Sequence, residues 1–229
     1  VGGGATGGHA LEPSERTALR RKKERGRSDW ETVCAVLDEG LVCHVGFHDG
    51  TTPYVVPMAY ARVDDTLYLH GAPANRTLRA LADGAEACVT VTLLDGLVLA
   101  RSAFHHSMNY RSVMLLGTAE RVVDEAEQLA ASRALLDHMA PGRSTDARLP
   151  SPSELRSTLI VRIPITEGSA KVRTGGPIDD DEDLSLPVWA GVVPLRTVAD
   201  PPLSDEGLPD GVGVPDYAAR YRRAAGERG

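Results

Sequence analysis

The chain has 229 residues, 42% of them hydrophobic and 25% charged, with a formal net charge of −7. That length suits one domain with a real core, and without a basic surplus neither nucleic acid nor an anionic membrane is expected as the main partner. The longest apolar runs, such as Leu97–Ala100 and Val113–Leu116, fall far short of a membrane span.

The first fifteen residues, VGGGATGGHALEPSE, lack an apolar signal core, and the basic run Arg16–Arg27 follows them. Residues 1–27 are therefore expected to be a flexible basic leader outside the fold. In SDWETVCAVLDEG, Ser28 or Asp29 is placed to cap a helix that carries Trp30, Val33, Val36 and Leu37 at helical spacing and stops at Gly40. Three strands, 41–48, 54–63 and 66–72, are then separated by turn residues, which predicts an antiparallel meander. A short helix over 75–84 crosses to the strand stretch EACVTVTLLDGLVLARSAF, where Asp95-Gly96 predicts a bend or a hairpin. FHHSMNYRSVMLLGTAERV (104–122) runs from a polar cluster into another strand, and residues 124–140 form an amphipathic helix stopped by Pro141-Gly142. Strands return over 157–173, an acidic loop follows, and VWAGVVPLR ends the ordered part. The domain is expected over 28–199, with 200–229 a Pro/Gly/Asp-rich tail ending in a short helix. Six or more short antiparallel strands with two or three helices predict a mainly β, α+β fold built on a small barrel.

Cys34, Cys43 and Cys88 lack CxxC spacing, which predicts reduced thiols in a cytoplasmic protein and no zinc site. There is no dinucleotide fingerprint, P-loop, GxSxG elbow or HExxH pair. His44 and His48 share one strand face, a weak candidate for a metal pair.

Three segments carry the stronger case. LHGAPANRTL (69–78) leaves a strand and enters a helix near Asn75, with Arg76 and Arg79 close by, as an anion site requires. An ordinary Asn-capped helix with solvated arginines accounts for the same pattern. The polar cluster offers Asn109 and Ser112 for hydrogen bonds, Tyr110 for stacking and Arg111 for a bidentate pair; the alternative is a plain hairpin loop. In SAKVR…PVWAGVVP, Lys171 and Arg173 alternate onto one strand face, and Trp189 offers a flat ring that is more often core than ligand contact.

LYLHGAPANRTLRAL, NYRSVMLLGTAERV and SAKVRTGGPIDDDEDLSLPVWAGVVPL together resemble the pyridoxamine 5′-phosphate oxidase-like flavoproteins, nearest the nitroimidazole-resistance (Nim-type) branch. The resemblance implies a split β-barrel, a homodimer and FMN at the subunit interface. By the same resemblance, the strand Val55–Met58, with Val56 and Pro57 between its ends, flanks the flavin ring, and His70, Gly71, Asn75, Arg76 and Arg79 line its phosphate end. Tyr110, Arg111 and Ser112 contact the ring edge or phosphate, and Trp189 approaches near the dimer seam. Two departures stand out. Arg76-Thr77 replaces the Arg-Lys pair of the oxidases proper, and an acidic, proline-rich tail replaces their basic C-terminal substrate motif, so vitamin B6 oxidation is not expected.

The leading expectation is an FMN-dependent oxidoreductase acting on a small organic molecule, with Arg111 stabilising reduced flavin and His70 as the candidate acid–base group. Split-barrel relatives that bind haem make haem an alternative, with His70 or His106 as axial ligand; a deazaflavin is another alternative cofactor. A third reading is a non-catalytic flavin-binding sensor or regulator.

Overall fold

A computed structural model describes Leu11 and residues 14–222. Residues 1–10 of the expected leader and the last part of the terminal helix lie outside that description.

Gly26–Arg27 form β1, followed by α1 (Trp30–Glu39). Asp29, not Ser28, caps α1 by accepting from the Thr32 amide at 2.8 Å. Val33, Val36 and Leu37 turn inward at helical spacing, each worth about 1.5–3 kcal/mol of apolar burial. The predicted meander follows as β2 (Val42–His48), β3 (Pro53–Val63) and β4 (Thr66–Gly71), and then α2 (Arg76–Ala82). β5 (Glu86–Leu99) and β6 (Ser107–Thr118) are long neighbours. The Asp95-Gly96 signal is a bulge within β5 and not a hairpin, because β6 pairs on both sides of it with a one-residue shift. β7 (Glu120–Arg121), α3 (Glu125–Met139), α4 (Arg143–Asp146), α5 (Pro152–Arg156), β8 (Leu159–Pro164), β9 (Glu167–Arg173), β10 (Gly191–Pro194) and α6 (Asp216–Ala219) complete the described elements.

All strand pairs are antiparallel, in the order β1-β9-β6-β5-β2-β3-β4-β8-β7, with β10 also on β5. β3 is long enough to serve both halves: its first part pairs with β2 and its last part with β4. The sheet curls until β6 meets β8 by packing, where a side chain at Gly117 would come within 3.1 Å of Ile163. This is a split β-barrel filled by one core that includes Val45, Leu67, Leu69, Val89, Leu115 and Ile163.

The basic segment rests partly on this barrel. Gly26 and Arg27 pair with Lys171 and Ala170 of β9, and Arg16 bonds both Glu86 and Glu167. The pairing covers the β9 edge, which would otherwise expose unpaired backbone groups. At the other end of the chain, Tyr221 donates to the Met139 carbonyl and Arg143 to the Tyr217 hydroxyl. No helix among the described residues is long and apolar enough to cross a membrane.

Candidate functional site

Strand alternation sorts the side chains of the barrel wall into two sets. Along β3, Val56 and Met58 pack on the core while Val55, Pro57 and Ala59 point outward. Of the strand Val55–Met58 expected beside a flavin, Val55 and Pro57 therefore lie on the open face, and Val56 and Met58 do not. Register then places Val55 beside Gly46, Pro57 beside His44, and Ala59 beside Val42. β5 adds Cys88 next to Gly46 and Thr90 next to His44, and β6 adds Leu116 and Met114 beyond them.

This outer face is apolar yet exposed: Val55 is 70% accessible, and Val42 and Leu94 are also open. A side chain at Gly46 would meet nothing closer than 3.4 Å, so local packing does not demand glycine there. The bare backbone instead leaves a flat gap between His44 and His48, suited to close approach by a planar ring.

The same face ends in an open cleft of about 490 Å³ lined by His48, Asp49, Arg76, Arg79 and Asp83, among others. Arg76 lies over the Tyr54 ring at 5.3 Å and donates to its hydroxyl at 2.9 Å; Tyr54 in turn stacks on Phe47. Neither Arg76 nor Arg79 forms an ion pair among the described residues. Asn75 caps α2 by accepting from the Leu78 amide, and Gly71 is small because a side chain would come within 2.9 Å of Leu78. These two residues position the cleft, and the arginines supply its charge. Thr77, where the oxidases proper tend to have lysine, is buried, so this position turns away from the cleft.

His70 closes β4. It is solvent-accessible, yet the surrounding protein desolvates its ring and pushes its pKa below the ordinary value, which keeps it neutral near pH 7.

Arg111 does not face the open side. It donates to Glu39 of α1 and to Asp95 at the β5 bulge, in bidentate pairs at 2.5–3.0 Å, and only 11% of its side chain is accessible. The expected flavin-facing cation is thus spent on a structural ion triad. The bonds to Asp95 and then Glu39 drive its pKa upward.

Tyr110 and Ser112 alternate onto the outer face, and Ser112 contacts the Lys171 carbonyl at 3.5 Å. Asn109 does not point into a ligand site; it donates to Gly175 O and accepts from Arg173, which also donates to Gly176 O. Arg173 is 6% accessible, lacks a carboxylate among its bonds, and has its pKa lowered by desolvation. Asn109 and Arg173 therefore anchor the loop after β9, while half-buried Lys171 remains on the outer face. Trp189 is 65% accessible, so it is not core; its ring covers Gly191, where a side chain would lie 2.7 Å from the indole.

Among the remaining histidines, His105 pairs with Asp180 at 3.0 Å and His138 donates to the Gly40 carbonyl at 2.6 Å. No cluster of three or more metal-ligating side chains occurs among the described residues, and Cys34, Cys43 and Cys88 are free thiols. Sequence reasoning missed Tyr54 and did not separate Val55 from the inward-facing residues of its strand. The alternation of β3 carried the signal for Val55, whereas nothing local linked Tyr54 to Arg76.

An exposed apolar face thus leads into an arginine-lined cleft on a split barrel. The family described as pyridoxamine 5′-phosphate oxidase matches residues 29–172, and the chain belongs to that family. The flavocytochrome Anf3 from Azotobacter vinelandii is 41% identical, with 92% of this chain and 98% of that chain covered and a TM-score of 0.86. An FAD- and haem-binding protein from Mycobacterium smegmatis is 37% identical over 84% of this chain and 95% of its own, at a TM-score of 0.81. A protein described as a 5-nitroimidazole antibiotic resistance protein from Bacteroides thetaiotaomicron is 27% identical over 64% and 86%, at 0.55. No curated protein gives a significant match.

Proposed function

We propose that the protein is a flavin-dependent oxidoreductase acting on a small organic molecule. The observation that carries this reading is the continuity of the outer face, from the gap at Gly46 through His48 into the cleft of Arg76 and Arg79. Gly46, flanked by His44 and His48, would hold the ring of a flavin, and Arg76 and Arg79, which form no ion pair among the described residues, would hold its phosphate. When bound, the flavin supplies two-electron chemistry. Neutral His70 accepts or returns a proton at a ring nitrogen, a role that a cationic imidazole could not begin.

Arg76 and Arg79 stand three residues apart on one face of α2, a spacing suited to two phosphates. With the FAD-binding relative, this favours FAD over the FMN that the motifs suggest. Extraction of the purified protein followed by chromatography of the released flavin decides between them. A protein that retains no flavin of any kind, deazaflavins included, overturns the reading.

The exposed Val55, Val42 and Leu94 also support pairing of two copies through this face, with the flavin between them. Sedimentation should report a dimer, and Val55→Asp should yield monomers. The haem named for one relative, and the description of another as a flavocytochrome, support a second cofactor on the same chain. The donor set fits, because exposed histidines with open ring nitrogens are present.

A further inference from the structure

We infer that His106 is the axial ligand of a haem held on the outer face at the β10 end of the barrel, a site that builds on the proposed second cofactor. The ring of His106 is already oriented. Its Nδ1 lies 2.8 Å from the Ser102 carbonyl oxygen, and because a carbonyl only accepts, Nδ1 carries the proton. With the proton on Nδ1, the neutral form of the ring carries its lone pair on Nε2, and the residue is exposed. Metal-bound histidines characteristically donate their second nitrogen in this way.

The other described histidines lack this arrangement. His48 Nδ1 accepts from the Gly50 amide at 3.0 Å, which leaves the proton on Nε2. His105 Nε2 is engaged by Asp180, and His138 is half-buried with Nε2 on a carbonyl and its ring against Tyr60. Among the described residues, no hydrogen bond orients the rings of His44 and His70.

The surface around His106 suits an apolar macrocycle. Register pairs Val193 with Leu97 and Leu97 with Met108, so the three form one stripe across β10, β5 and β6, and all three are exposed. The bulge at Asp95 keeps Leu97 on the same side as Leu94, where strict alternation would have buried it. Continuing the register by one residue sets His106 beside Leu99, which pairs with Gly191 beneath the Trp189 ring. Phe104, 89% accessible, stands two residues before His106. Apolar side chains left in water beside an oriented imidazole are the two halves of a haem site.

The test is titration of hemin into the purified full-length protein, followed by absorption and electron paramagnetic resonance spectra, with flavin content measured on each sample. Wild type, His70→Ala and His44→Ala should all give a red-shifted Soret band. His106→Ala should not, and added imidazole should restore the band to His106→Gly. Leu97→Asp should weaken hemin binding without changing sedimentation. An unaltered Soret band in His106→Ala, or no hemin binding by wild type, overturns the assignment. So does a Leu97→Asp variant whose sedimentation changes while hemin binding does not, since the stripe would then be a subunit contact. Loss of flavin with the haem spectrum intact would instead count against the flavin reading alone.

Discussion

Arg111 grips both carboxylate oxygens of Glu39, at 2.5 and 3.0 Å, tying β6 to the last residue of α1. Asp95, at the β5 bulge, accepts from Nε and Nη2, so three elements meet at one guanidinium. Arg111→Ala strands two partly buried carboxylates and should lower stability by about 3 kcal/mol. Flavin retention by the folded fraction should be nearly unchanged. Denaturant unfolding alongside flavin absorbance checks both, and flavin loss without destabilisation would return Arg111 to the cofactor.

Gly46 tests the ring position. Gly46→Leu adds a side chain to an open strand face, where a Cβ meets nothing closer than 3.4 Å and the fold has room for it. The variant should keep the circular dichroism of the wild type and lose bound flavin. Wild-type flavin content would place the ring elsewhere.

Arg79 tests the other end. It is exposed and unpaired by carboxylates, so Arg79→Ala should cost the fold little. Flavin binding should weaken by about 1.5–3 kcal/mol, the worth of a charge-assisted hydrogen bond. Equilibrium dialysis with FAD and FMN measures it, and a larger loss for FAD supports the diphosphate assignment.

His70 predicts a pH dependence. Its folded pKa is depressed by desolvation, whereas the unfolded chain has the ordinary value of about 6.5. Above that pH neither state is protonated and the shift has no effect on stability. As pH falls through 6.5 toward the folded value, the unfolded state binds the proton first and stability declines. His70→Gln should flatten that acid limb, and the ring resonances in NMR should titrate below 6.5. A midpoint above 6.5 would contradict the desolvated environment.

Much of the fold was legible because it rests on short-range patterns. The caps at Asp29 and Asn75, the meander of β2, β3 and β4, and the helix over 125–139 follow from side-chain period and capping chemistry. At Asp95-Gly96 the sequence marked an irregularity, but its form depended on β6 pairing across it. That Arg76 and Arg79 share one cleft was legible because both sit on a helix that begins where its motif places it. Arg111 was misjudged because its carboxylates lie 72 and 16 residues away in the chain.

By itself, the sequence determined the family, the antiparallel strands, the helix boundaries and the set of polar residues worth weighing. Those depend on local backbone preference and on motifs that stay contiguous in the chain. The tertiary structure decided which polar groups remain open. It locked Arg111, Asn109 and Arg173 into bonds with distant partners, turned Val56 and Met58 inward, and left Val55, the gap at Gly46 and the cleft of Arg76 and Arg79 facing outward. A charge or ring is available to a ligand only if no nearer group has claimed it, and strand register, not spacing, settles that.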